Sequence, residues 1–300
     1  MQTMLQTHNL TKKYGNFTAL NQASLTLERG DIYGLVGRNG AGKTTFFKCV
    51  MGLAKPTAGE IEIGVGADGL DAARRQIGFM INPAFFPYLP PKQNLEYLAK
   101  IKGLRQKAEV DRLLKLVQLD GVKKPFKKFS MGMKQRLGLA GALMGDPPIV
   151  VLDEPINGLD PQGIADMREI IRHANQQNGT TFIVSSHILS ELDLVATRFG
   201  FIERGNLVKE ITHIDLHEHT KKALVLEVDD GAKAAALLKS KFGIEHVQTE
   251  GNRLVLESHV DQTNVVARAL FDGGLELFRL SPQETTLEEY FMGLVGGQNA

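Results

Sequence analysis

The first two thirds of the chain alternate short apolar runs with longer stretches of helical periodicity. Leu25–Leu27, Ile32–Val36, Glu60–Ile63 and Ile77–Met80 read as strands, and a helix is predicted from about Gly42 to Met51. From Asn94 to about Val117 the pattern turns helical, with Leu95, Leu98 and Ile101 on one face and Leu113, Leu116 and Val117 on another. Met133–Met144 is a further helix, stopped by Gly145-Asp146-Pro147-Pro148. Ile149–Leu152 is an unbroken apolar run, as a strand covered on both faces should be, Thr181–Val184 reads as the next buried strand, and a helix over 161–177 lies between them. Strand–helix alternation of this kind predicts an α/β fold built on a parallel sheet.

The texture changes near residue 215. Ile214–Lys222 is polar and reads as a solvated linker, with His217 and His219 lacking companion metal ligands. Beyond it, Ala223–Val228, Ala232–Lys241, Glu245–Gln248, Arg253–Glu257, Val265–Phe271 and Leu275–Leu280 read as β-α-β-β-α-β, the order of a ferredoxin-like unit. Leu287–Val295 reads as a short amphipathic helix. The expected organisation is a first domain over 1–215, with a helical subdomain at about 83–145, and a small accessory domain over 222–300.

Lysines and arginines total 35 and acidic residues 34, for a net charge of +1. That balance argues against a grip on nucleic acid through overall positive charge. The N-terminus has polar residues where a signal peptide needs an apolar core. The longest uncharged runs, Gln76–Pro91 and His173–Ser190, are broken by prolines or rich in Asn, Gln, Ser and Thr, so no spanning helix is expected. Any service to a membrane then goes through a partner. The single cysteine, Cys49, allows no internal disulfide and reads as a small core residue.

The densest chemistry lies in Gly37-Arg38-Asn39-Gly40-Ala41-Gly42-Lys43-Thr44, which fits GxxxxGK[ST] between a predicted strand and a predicted helix, with Thr45 following. Glycines there let backbone amides turn inward on an anion at the positive end of the helix. Lys43 reaches β- and γ-phosphates, and Thr44 offers its hydroxyl to Mg²⁺. An ordinary glycine-rich turn is the plainer alternative, and the filled motif in this context outweighs it. The second cluster is Ile149-Val150-Val151-Leu152-Asp153-Glu154, a buried strand delivering two carboxylates at its C-terminal end. Asp153 is placed to hold Mg²⁺, and Glu154 to polarise an attacking water. Alone, such acids could simply end a strand.

Three further segments follow in order: Phe129-Ser130-Met131-Gly132-Met133-Lys134-Gln135-Arg136, then Asn157-Gly158-Leu159-Asp160 after the LDEP run, then His187. This ordered set, covering residues 1 to about 210, resembles the ATP-binding cassette of ABC transporters. The resemblance implies a P-loop ATPase with an antiparallel β subdomain and a helical subdomain. It implies that Tyr14 stacks on adenine and that Ser130 and Gly132 form a signature loop acting on ATP held by a second subunit. It likewise implies that Asp160 crosses the dimer interface and His187 senses the γ-phosphate. Taken singly, Tyr14 is a surface aromatic, Ser130 a helix cap and His187 a helix-start residue.

Two departures stand out. The loop usually written LSGGQ reads FSMGM, a variant that with the following MKQRLGLA resembles bacitracin- and lantibiotic-type export ATPases. The family places Gln, and that branch often Glu, after the Ile77 strand; here Ile81-Asn82-Pro83-Ala84-Phe85-Phe86 is one residue shorter. Either Asn82 takes the metal-contacting role with a shorter arm, or the residue is missing. The apolar, proline-broken Pro83–Leu89 reads either as a packed loop or as the opening of the surface that receives a permease helix. The expected function is therefore an ATP- and Mg²⁺-dependent ATPase subunit on the cytoplasmic face of a membrane. Its expected partners are a separately encoded permease and a second ATP-binding subunit, with no nucleic acid. The alternative is a soluble ABC ATPase acting on ribosomes or DNA, but the chain has one cassette, no basic linker and no long heptad insertion.

Overall fold

Ile32–Val36 (β3) is buried at all five positions and forms the spine of a six-stranded sheet. Its neighbours are Ile77–Met80 (β5), Ile149–Leu152 (β6), Thr181–Ser186 (β7), Arg198–Glu203 (β8) and Asn206–Thr212 (β9), in the order β5-β6-β7-β3-β8-β9. All adjacent pairs are parallel except β8 with β9. The apolar runs fit this placement, because parallel strands sandwiched by other layers have no polar face. A second sheet is antiparallel, in the order β2-β1-β4: Phe17–Glu28 (β2), Thr3–Tyr14 (β1) and Ala58–Ile63 (β4).

The two sheets share one core. Leu5, Leu25 and Leu27 pack with Leu35, Val151 and Ile183, and with Phe46, Phe47 and Cys49 of the helix Lys43–Val50 (α1). The computed structural model describes residues 2–104, 107–219, 222–244, 247–256 and 262–284, with 287, 290, 291 and 293 beyond. Leu70–Arg75 (α2) leads into β5. Between β5 and β6 the chain is helical: Pro91–Ile101 (α3), Lys107–Leu116 (α4), a 3₁₀ turn at Phe126–Lys128 and Met131–Leu143 (α5). Pro161–Asn178 (α6) joins β6 to β7, and Leu189–Asp193 (α7) joins β7 to β8.

The chain divides into compact units Met1–His213 and Ile214–Ala300, and the division falls at the start of a short helix, His213–His219 (α8). That helix takes up 214–219 of the stretch expected as a linker over 214–222. The second unit contains Lys222–Val228 (β10), Gly231–Phe242 (α9), Val247–Glu250 (β11), Arg253–Leu256 (β12), Thr263–Asp272 (α10) and Leu277–Glu284 (β13). Its sheet runs β11-β12-β10-β13 with every pair antiparallel, the ferredoxin-like arrangement. Leu224, Leu226 and Val228 alternate onto one face and bury against Leu238, Val266 and Leu270 of the two helices. The helix expected over 287–295 lies outside the described residues apart from 287, 290, 291 and 293. Among the described residues, no helix is long and apolar enough to cross a membrane.

Three strands escape the hydrophobic pattern. β1 does so because its pairing with β2 slips at Thr7/Leu10, Leu10/Lys12 and Lys12/Lys13, which resets the in–out alternation within twelve residues. β8 and β9 are the others, a buried run followed by a mostly polar edge strand.

Candidate nucleotide site

The phosphate-loop sequence sits where β3 ends and α1 begins, at the C-terminal edge of the parallel sheet. Gly42 holds φ at 115°, and a Cβ there would stand 2.7 Å from the Ala19 carbonyl, so only glycine fits. No side chain caps α1 and its first turn carries no acid, which leaves its N-terminal amides to an anion. Arg38, Asn39 and Gly40 are exposed, Ala41 is buried, and Thr44 and Thr45 are half-buried.

Lys43 is only 5% exposed. Its ammonium donates to the carbonyls of Gly37 and, at 3.2 Å, Arg38, and pairs with Glu154 Oε1 at 3.0 Å. Thr44 Oγ1 donates to Asp153 Oδ2 at 2.6 Å, joining segments 109 residues apart. The other Asp153 oxygen accepts from Ser185 Oγ at 2.7 Å, and Ser185 Oγ in turn accepts from the Glu154 amide at 2.8 Å. Glu154 Oε2 meets His187 Nδ1 at 2.9 Å. Glu154 itself has φ of 48°, a left-handed backbone that non-glycine residues rarely adopt. Thus Lys43, Thr44, Asp153, Glu154 and His187 converge at one edge of the sheet. Ser185 was missed, because a serine at a strand end carries no motif of its own; only adjacency to His187 could have flagged it.

Tyr14 lies at the end of β1, 48% exposed, with the Lys12 ammonium 4.8 Å from its ring centre. It pairs in register with Phe17, also exposed, and the same hairpin presses Ala19 against Gly42. An exposed aromatic therefore stands on the hairpin that backs the phosphate loop.

Ser130 caps α5, its Oγ accepting from the Met133 amide at 3.4 Å, and Asp160 caps α6, accepting from Gly163 at 3.0 Å. The two caps are neighbours: Gly132 faces Leu159, and Met131, half-exposed, lies beside Gly158. Among the described residues no hydrogen bond or ion pair joins Ser130, Gly132 or Asp160 to Lys43, Glu154 or His187. Asn82 is exposed just past β5, with φ of 52°, and no hydrogen bond ties it to Thr44 or Asp153. It borders instead an apolar groove of about 500 Å³ lined by Phe79, Phe85, Phe86, Tyr97 and Leu98. Phe85 turns inward onto Phe126, ring centres 5.4 Å apart, whereas Phe86 is 44% exposed.

A family model described as ABC transporter matches residues 20–157. The chain is similar to the bacitracin transport ATP-binding protein BcrA of Enterococcus faecalis, 38% identical over 99% of this chain and 98% of the relative. It is 41% identical to the lantibiotic transport ATP-binding protein SrtF of Streptococcus pyogenes, over 69% of this chain and 90% of the relative. Among solved structures it resembles an ATP-binding subunit of an ABC transporter, with 30% identity and a TM-score of 0.64 over 72% of this chain and 92% of that one. It also resembles a dimeric ATP-binding cassette in a post-hydrolysis state bound to ADP and Pi, with 26% identity and a TM-score of 0.62 over 70% and 99%.

Proposed function

Since the chain belongs to the ABC transporter family, as a subunit that binds and hydrolyses ATP, we propose that it powers export of a peptide antibiotic or a similar amphiphile. It does so through a separately encoded membrane permease, from the cytoplasmic face, as one of two cassettes. The observation that carries this reading is the likeness to a bacitracin transport ATP-binding protein along 99% of the chain, second unit included.

The residue roles in this reading are supported by the geometry of the phosphate-loop edge and by the resemblance to the family. Lys43 and the first-turn amides of α1 bind the β- and γ-phosphates. The Thr44 hydroxyl and the Asp153 carboxylate, 2.6 Å apart, are hard oxygen donors suited to Mg²⁺. Bound there, Mg²⁺ would neutralise phosphate charge. Ser185 fixes the Asp153 carboxylate through one oxygen. Glu154 polarises the attacking water, and His187, against its second oxygen, orients it and reads the γ-phosphate. Tyr14 supplies a face for adenine. Ser130, Gly132 and Asp160 act on the second subunit, consistent with their separation from the phosphate-loop residues of their own chain. The groove behind Phe86 receives a permease helix through its apolar walls. The unit beyond residue 222 modulates or dimerises, and ATP binding does not depend on it.

Co-expression with the neighbouring permease in a host sensitive to bacitracin and lantibiotics tests the reading. Tolerance should rise, and should fall back with Lys43→Ala. Unchanged tolerance together with failure to co-purify any membrane subunit overturns it.

A further inference from the structure

The N-terminus of α5 lies against the loop that leads into α6, and each helix is capped by a residue assigned to the partner-facing surface, Ser130 and Asp160. Six residues into each helix stands a charge: Arg136 on α5 and Asp166 on α6. Arg136 Nη1 lies 3.2 Å from Asp166 Oδ2 and 3.1 Å from Gln118 Oε1. The other Asp166 oxygen accepts from Gln162 Nε2 at 2.8 Å. Both charges are 18% exposed. This is the only ion pair between α5 and α6 among the described residues.

We propose that the Arg136–Asp166 pair is a clamp that fixes the signature loop relative to the loop ending at Asp160, so that both reach the second subunit as one surface. The inference rests on the reading of Ser130 and Asp160 as acting across a dimer. Its physical basis is lever geometry. α5 belongs to the helical segment between β5 and β6, while α6 belongs to the sheet that carries Asp153 and Glu154. Near the caps, small or apolar groups face one another, Gly132 with Leu159 and Met131 with Gly158 of the loop before α6. Such contacts are non-directional and permit sliding. A guanidinium shared between a carboxylate and an amide oxygen is directional and resists it. At 18% exposure the pair is less screened than a surface pair, and partial burial makes the loss of either partner costly. Among the described residues no hydrogen bond or ion pair joins Arg136 or Asp166 to the phosphate loop, so they are positioning residues, and their effect belongs to closure between subunits rather than to the first binding of nucleotide.

The test uses the full chain carrying Glu154→Gln, with Mg-ATP as the probe. ATP-driven dimer formation is read by sedimentation, and nucleotide affinity of the monomer by a fluorescent ATP analogue. Arg136→Met and Asp166→Asn should each raise the ATP concentration needed for dimerisation about tenfold, and together no further, because both remove one coupled interaction. Arg136→Lys, which keeps the charge, should recover part of the loss. Affinity of the monomer for the analogue should stay unchanged throughout. Asp166→Asn is nearly isosteric and keeps a hydrogen-bonding partner for Gln162, so it serves if Arg136→Met does not fold. Wild-type dimerisation in both single variants, effects that multiply in the double variant, or an equal fall in monomer affinity overturns the clamp. A Glu154→Gln parent that stays monomeric with ATP overturns the dimer reading and the clamp with it. A dimerising parent with indifferent clamp variants removes the clamp alone.

Discussion

Glu154 and His187 meet at 2.9 Å while the other Glu154 oxygen pairs with Lys43 at 3.0 Å, so one carboxylate is held from both sides. Replacing it with an amide keeps the shape and removes the proposed base. Glu154→Gln should bind ATP and slow turnover by a factor on the order of 10²–10⁴, the loss expected for a general base. Closed dimer should accumulate with ATP and not with ADP, and should vanish when Ser130 is also made bulky. Size-exclusion chromatography with each nucleotide decides this, and a monomer under all conditions contradicts it.

Lys43→Ala should reduce ATPase activity on the order of 10²-fold or more, by removing the buried cation aimed at the phosphates. Undiminished activity in the purified variant would sink the assignment of this loop.

Ser185 is fully buried and its hydroxyl serves both Asp153 and the Glu154 amide. Ser185→Ala leaves both without that partner and should destabilise the protein by about 1–3 kcal/mol. ATPase activity should drop with it. Chemical denaturation and steady-state rates provide the check; a variant as stable and as active as the parent would show the bridge to be idle.

The two phenylalanines at the groove should separate folding from docking. Phe86→Asp places a charge on a half-exposed apolar wall, so co-purification with the permease should weaken while ATP binding is retained. Phe85→Asp buries a charge against Phe126 and should lower the melting temperature instead. Normal co-purification of Phe86→Asp would rule out the groove as the dock.

Away from the site, the Tyr33 hydroxyl donates to Glu210 at 2.8 Å. Burial pushes the Glu210 carboxyl above its ordinary value of 4.5, against the opposing pull of the Tyr33 hydroxyl and the Thr26 backbone. A raised folded-state value means the folded chain holds this proton more tightly than the unfolded one. The stability so contributed is complete below 4.5 and is lost as pH climbs through the raised value. Glu210→Gln removes that titration, so its melting temperature should gain on the parent's as pH rises through this window. A difference that stays flat with pH would contradict the shift.

What the sequence made legible follows from how much each element depends on its neighbours. β3 and β6 announce themselves because full burial favours apolar runs, and β7 does so through its Phe182-Ile183-Val184 centre. Lys43, Asp153 and Glu154 are legible because phosphate and metal chemistry fixes residue type and spacing. β1 is hidden because its alternation is reset at each slip against β2. Asn82 lies in the segment where the family resemblance expects a metal-contacting residue, yet nothing local to it reveals the apolar groove it borders, whose walls come from α3 and α5 as well. Ser185 depends on a contact with Asp153 from 32 residues away, and the chain around it carries no trace of that distance.

The left-handed backbone at Glu154 imposes two independent selections on one position. A residue there must tolerate φ near 48° and, in the proposed role, hold a proton-accepting oxygen. Asn and Gly satisfy the first and fail the second; Gln keeps the shape at similar backbone cost; Val, Ile and Thr strain the turn through their branched Cβ. A saturation library at this codon should therefore sort into two orders that disagree, one for fold and one for turnover, with Gly near the top of the first and at the bottom of the second.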